Sequence, residues 1–179
     1  MKVLRWLLPF LLLLTPIHQA QAAGTLQGNL GIQITIGAGC TVNNSSNNGS
    51  TNSFGSISFG TYPSLANIVE GQSVGAGAGS SFGIQCANNT AYTVALNSGL
   101  APSGNQRRMS GGASEFITYN LYQDAARTTP WGNGSNGANA YSGTGNGNNQ
   151  DIVVYGRVPA QTTPTSGTYT DTVLVTVTW

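Results

Sequence analysis

The sequence predicts an all-β protein, an antiparallel β-sandwich, on three observations. Six or seven short segments rich in β-branched and aromatic residues alternate with tracts of glycine, asparagine, serine and threonine. No segment carries an apolar stripe at helical spacing, strong helix formers are few, and charged residues make up only 6% of the chain. Two cysteines, Cys40 and Cys86, suit a single bridge between early strands.

The chain opens with Lys2 and Arg5, then an apolar stretch from Trp6 to about Ile17 interrupted by Pro9, then Ala20-Gln21-Ala22, a small-x-small site expected to be cut before Ala23. Residues 1–22 therefore read as a signal peptide, too short and too marked by proline to anchor in a bilayer. No second long apolar run follows, so the remainder is expected to be one exported, soluble domain. Directly after the leader, Leu26, Leu30, Ile32, Ile34 and Ile36 all fall on even positions, with Gly28 in the same phase. Gln27, Asn29, Gly31, Gln33 and Thr35 fill the other face. This is a strand with one apolar face, suited to lying across a hydrophobic groove. Chain termini are usually frayed and polar, and one that carries large aliphatics in strand phase points to strand exchange between subunits.

The further strands are expected near 54–60, 81–86, 90–97, 116–123, 151–158 and 169–178. Between them, residues 43–53 and 132–150 are poor in apolar side chains and rich in residues that tolerate positive φ, and they read as exposed loops. Tyr92, Val94 and Leu96 alternate with Thr93, Ala95 and Asn97, and Val173, Val175 and Val177 with Thr172, Leu174, Thr176 and Thr178, so each of these strands offers a core-facing side. Trp179 continues the odd phase. With no return strand behind the last one, the sandwich is expected to lack one strand and to leave a groove open beside Val173, Val175 and Val177.

Composition excludes much chemistry. The only lysine, Lys2, and the only histidine, His18, leave with the leader. A Ser-His-Asp triad, a Cys-His dyad, a Schiff base, a phosphate-gripping lysine and a histidine metal site go with them. The five acidic residues are scattered singly, so no carboxylate pair for glycoside hydrolysis is evident. No enzyme activity, metal, cofactor or small-molecule substrate is expected. Arg107, Arg108, Arg127 and Arg157 stand against Glu70, Glu115, Asp124, Asp151 and Asp171, a net charge of −1 after the leader, which gives no basic face for nucleic acid. In an exported chain the two cysteines read most simply as a structural disulfide closing a loop of about 46 residues, worth roughly 4 kcal/mol through loop-closure entropy. The competing reading, two free thiols, lacks a C-x-x-C context or a basic neighbour to activate either sulfur.

An ordered set of motifs runs through the chain: G-C-T-V at 39–42, F-G at 59–60, A-Y-T-V-A-L at 91–96, Q-R-R-M at 106–109, Y-N-L-Y-Q-D-A-A-R-T-T-P-W-G at 119–132, V-Y-G-R-V-P-A-Q at 154–161 and G-T-Y-T-D-T-V at 167–173. Together they resemble the spore coat protein U domain family, which includes the Csu-type pilins of archaic chaperone–usher pili. The resemblance implies an incomplete immunoglobulin-like sandwich, completed first by a periplasmic chaperone and then by the N-terminal segment of the next subunit. On that basis residues 23–32 form the donor segment, with Leu26, Leu30 and Ile32 as plugs, residues 33–179 form the pilin domain, and Val173, Val175 and Val177 wall the acceptor groove. It further implies identical or sister pilin subunits as partners, an outer-membrane usher, export through the periplasm to the cell surface, and a part in adhesion and biofilm formation. Single-domain length suits a shaft or adaptor subunit better than a tip adhesin. The alternatives are a secreted spore or cell-surface coat protein and a monomeric lectin-like adhesin module.

Several residues invite sharper roles than the sequence supports. Arg107 and Arg108 read as a solvated turn or as partners of Glu115. Asp124, Arg127 and Trp131 could frame a sugar site, but a structural role is the expectation, with Trp131 as a core or loop anchor. Asp171 is placed in the polar phase of the final strand.

Overall fold

The computed structural model describes residues 25–43, 54–74, 82–112 and 114–179. The expected signal peptide over 1–22, residues 23 and 24 of the N-terminal segment, and positions 44–53 of the first expected loop lie outside these. The chain divides into two units, residues 1–34 and 35–179. Residues 25–34 of the first form no strand, and Leu26, Leu30 and Ile32 are 99%, 85% and 88% exposed. The strand expected over 26–36 is thus absent from the single chain: a strand is stabilised by a neighbouring backbone, and these residues pair with none.

Among the described residues the second unit contains ten strands and no helix. In chain order they are β1 (Cys40–Asn43), β2 (Val69–Gln72), β3 (Phe82–Cys86), β4 (Ala91–Leu96), β5 (Arg107–Ser110), β6 (Phe116–Tyr122), β7 (Tyr141–Thr144), β8 (Asn149–Ile152), β9 (Tyr155–Val158) and β10 (Val175–Thr178). They form three sheets, ordered β1-β3-β8, β10-β4-β7 and β2-β9-β6-β5, with every pairing antiparallel. The expected all-β antiparallel class, in keeping with an immunoglobulin-like arrangement, is what the chain adopts.

One ribbon organises two of these sheets. β3 and β4 follow each other and pair with β8 and β7, from Phe82↔Ile152 to Val94↔Tyr141. Between the two ladders, Gly145 N donates to Thr90 O (2.8 Å), Asn89 N to Gly145 O (2.9 Å) and Gly147 N to Cys86 O (3.1 Å). β7 and β8 occupy one edge of the β3–β4 strand. β1 and β10 therefore share the other edge, β1 beside β3 and β10 beside β4.

The core is built from the inward phase of these strands: Phe82, Ile84 and Cys86 of β3, Tyr92, Val94 and Leu96 of β4, Tyr119 and Leu121 of β6, and Ile152, Val154 and Val158. Trp131 completes it, with its Nε1–H donating to Val94 O at 2.8 Å, so the one polar atom of a large buried ring is satisfied. Cys40 and Cys86 face each other at the end of the β1–β3 ladder and are disulfide-bonded.

Three further strand expectations and one loop expectation change. Residues 54–60 form no ladder, and their backbone pairing is the isolated Ser56↔Val74 bridge. They instead cross the face of β2 and β9, where Gly71 and Gly156 are paired. A Cβ on Gly71 would stand 3.1 Å from Ile57, and one on Gly156 2.7 Å from Phe59, so the missing side chains make the seat on which this segment packs. The strand expected over 151–158 is split into β8 and β9, which belong to different sheets, although burial alternates across the join because Val154 N is held by Ser73 Oγ (2.9 Å). Only 175–178 of the expected strand 169–178 form a ladder. The Gly/Asn-rich stretch 132–150 is not simply an exposed loop: it contains β7 and the first residues of β8, and Gly143 lies opposite Tyr92, whose ring covers it. Composition hid this strand because the small residue is what the facing aromatic requires.

Candidate functional site

The exposed N-terminal segment is the first component. From Ala23 to Ile36 it carries no charge, and its even-phase aliphatics reach solvent throughout the described part, with Ile34 and Ile36 exposed like Leu26, Leu30 and Ile32. Apolar side chains in strand phase, without a partner strand, are a surface that associates.

The second component is the free side of β10. Its single ladder runs to β4, from Val175↔Leu96 to Thr178↔Thr93, and no described strand lies on its other side. Leu96 and Val94 are fully buried, whereas Val175 and Val177, directly opposite them, and Val173 before them pack against the core yet stay partly exposed. The core therefore passes from closed to open within one inter-strand step. Residues 172–179 contain no charged residue and no proline, the devices that commonly protect a free edge. Where β10 ends, a groove of about 600 Å³ opens between Thr178, Trp179, Tyr92 and Gly143. On the same side of the ribbon, Cys40 and Val42 of β1 are partly buried beside the fully buried Cys86 and Ile84.

The polar residues weighed from the sequence act within the fold. Arg107 is not a solvated turn: it is buried on β5, its Nε donating to Asn97 O (2.8 Å) and its NH2 to Leu96 O (3.0 Å), and burial lowers its pKa from the ordinary guanidinium value. Arg108 stacks 3.9 Å from the Phe116 ring and donates to Ala101 O. Neither pairs with Glu115, which accepts from Thr165 and Tyr169, hydrogen bonds that hold its carboxyl below its ordinary pKa. Asp124 accepts from the backbone N–H of Thr128 and Thr129, which lowers its pKa to about 2. Arg127 binds the carbonyls of Gly156 and Gly71 and pairs with Glu70 at 3.0 Å. Asp124, Arg127 and Trp131 thus have the structural roles expected of them.

Asp171 departs from its expected place. It precedes β10, accepting from Leu100 N (2.7 Å) and from the Tyr119 hydroxyl (2.6 Å), and Tyr119 is pushed above the ordinary tyrosine pKa by burial and by that bond. Gln161, unremarked within its motif, has a role that only the fold reveals: its amide accepts from Thr118 N (3.0 Å) and donates to Thr118 O (3.0 Å), standing in for a neighbouring strand beside β6. Among the described residues, no group of three or more His, Cys, Asp or Glu side chains could hold a metal ion.

Comparison with known proteins shows the family of the chain. The profile of the Spore Coat Protein U domain matches residues 26–176. Protein U of Myxococcus xanthus is 33% identical over 166 residues, covering 88% of this chain and 87% of that protein. Among solved structures, the CsuC–CsuE chaperone–tip adhesion subunit pre-assembly complex from the archaic chaperone-usher Csu pili of Acinetobacter baumannii is similar at 27% identity and a TM-score of 0.46, over 81% of this chain and 40% of that one. The profile match and the identity to Protein U show that this chain belongs to the Spore Coat Protein U domain family.

Proposed function

We propose that the protein is a structural subunit of a surface fibre of the chaperone–usher type, assembled by donor-strand complementation, with no catalytic turnover. The observation that carries this reading is the free, uncharged side of β10, with Val173, Val175 and Val177 half-covered beside a closed core. Residues 23–32 of a neighbouring copy or sister subunit are the donor and residues 33–179 the accepting domain. Burying Leu26, Leu30 and Ile32 at about 1.5–3 kcal/mol each gives a gross gain of roughly 5–9 kcal/mol, before hydrogen bonds along the edge. Donor and acceptor are different surfaces of one subunit, so the contact is heterologous and propagates as a fibre.

Before assembly, a periplasmic chaperone covers the same edge, and an outer-membrane usher passes the subunit to the cell surface, where the fibre serves adhesion and biofilm formation. Family membership supports this route, since the family includes pilins of archaic chaperone–usher pili. The family's name favours a second reading, a coat protein deposited on a spore or cell surface. Deleting residues 23–32 decides between them. In the fibre reading the truncated chain folds, binds an exported immunoglobulin-like chaperone on co-expression and caps growing polymers without extending them. Normal assembly by the truncated chain would refute it.

A further inference from the structure

The stretch leading into β10 has almost no ladder to hold it. Residues 171–174 lie between the isolated bridge Ser110↔Thr170 and the first β10 pair, Val175↔Leu96. Asn97, through backbone and side chain, and the Asp171 carboxylate fix them instead. Asn97 N donates to Leu174 O (3.1 Å), and Asn97 Oδ1 accepts from Leu174 N (2.9 Å), so one residue beyond the end of β4 supplies both halves of a ladder rung. The Asp171 carboxylate is fully engaged, Oδ1 by Leu100 N (2.7 Å) and Thr172 N (2.8 Å), Oδ2 by the Tyr119 hydroxyl (2.6 Å). Arg107 closes the set by binding the carbonyls of Leu96 and Asn97. Tyr119 and Arg107 belong to β6 and β5 of the four-stranded sheet, whereas Asn97 and Asp171 lead out of β4 and into β10. The network therefore ties the free-edge strand to the four-stranded sheet.

We infer that Asn97, Arg107, Tyr119 and Asp171 form a polar latch that sets the position of the acceptor edge before any partner strand arrives. This inference rests on the donor-strand reading for its purpose, though not for its structural content. A four-residue strand with one ladder and an unpaired outer side would otherwise open locally, and an incoming strand would have to order it on binding. With the latch closed, Val173 and Val175 already stand in the phase a donor side chain meets. These four are positioning residues: Arg107 and Tyr119 are buried and act on the edge through Asn97 and Asp171.

The test compares the full exported chain with its Tyr119→Phe, Asp171→Ala and Asn97→Ala variants, using a labelled synthetic peptide of residues 23–36 as the probe. Two quantities are read: the dissociation constant for the peptide, and hydrogen exchange at the amides of Leu174–Val177 against those of β3. Tyr119→Phe deletes one hydroxyl and keeps the ring in the core, so it stays informative if the alanine variants fold poorly. We expect about tenfold faster exchange at Leu174–Val177 with β3 protection kept, and about tenfold weaker peptide binding, the scale of ordering roughly one residue. Ile152→Val, a core change in β8 away from the latch, should lower overall stability without this local signature. If the Tyr119→Phe change lowers protection evenly across the domain, or leaves Leu174–Val177 as protected as before, the latch is overturned. Failure of the unaltered chain to bind the peptide would overturn the donor-strand reading, and the exchange at Leu174–Val177 would still decide the latch.

Discussion

Replacing Leu30 with alanine should separate folding from assembly. In the single chain this side chain is almost fully in water, so its truncation removes no contact from the domain, and unfolding free energy should move by no more than about 0.5 kcal/mol, as for other surface changes. In the fibre the same side chain is a plug. Leu→Ala removes three carbons from a buried site, at about 0.8 kcal/mol each, or about 2.4 kcal/mol of subunit contact, which is roughly 50-fold in the dissociation constant. Ile32→Ala should behave alike, and Gln33→Ala, in the opposite phase, should do little. The assay pairs urea unfolding of the single chain with sedimentation velocity of the assembled protein. An equal loss of domain stability and assembly in Leu30→Ala, or a loss from Gln33→Ala as large as that from Leu30→Ala, would refute the reasoning.

Other outcomes follow from the domain itself. Cys40→Ser with Cys86→Ser opens a 46-residue loop and should lower stability by about 4 kcal/mol, read as a fall in the urea midpoint. Trp131→Phe removes the indole N–H from Val94 O and leaves space in the core, a loss of about 2–4 kcal/mol by the same measurement. The Asp124 carboxyl should titrate by NMR with a midpoint near 2, the amides of Thr128 and Thr129 shifting with it. Because this pKa is depressed on folding, its contribution is complete above the unfolded value of about 3.9 and is lost as pH falls toward 2. A midpoint near 4 would contradict the hydrogen bonding described.

Much of this architecture was legible in the sequence where alternation and burial coincide. β3, β4 and β6 lie within the segments expected for them, the Cys40–Cys86 pair is bonded, and Val173, Val175 and Val177 share the core-facing phase. Alternation reports which side chains are buried and not which backbone is the neighbour. That is why 151–158 kept its phase while changing sheets, and why 54–60 packs on the core while lying across a sheet. The buried Arg107 gave no local signal, because its partners are backbone carbonyls on another strand end, about ten residues away in sequence. Asp171 and Gln161 were unreadable for the same reason, their partners lying 71, 52 and 43 residues distant. The free side of β10 has a sequence counterpart in residues 172–179, which carry neither charge nor proline.

The most direct measurement places a photoreactive amino acid at position 30 and maps its cross-links in the assembled protein. Donor-strand complementation gives intermolecular products that join position 30 of one copy to residues 173–177 of the next, diminished when β10 is occupied by a peptide of residues 23–36. Cross-links confined to a single chain, or intermolecular ones that avoid β10, would contradict a sandwich completed by its neighbour.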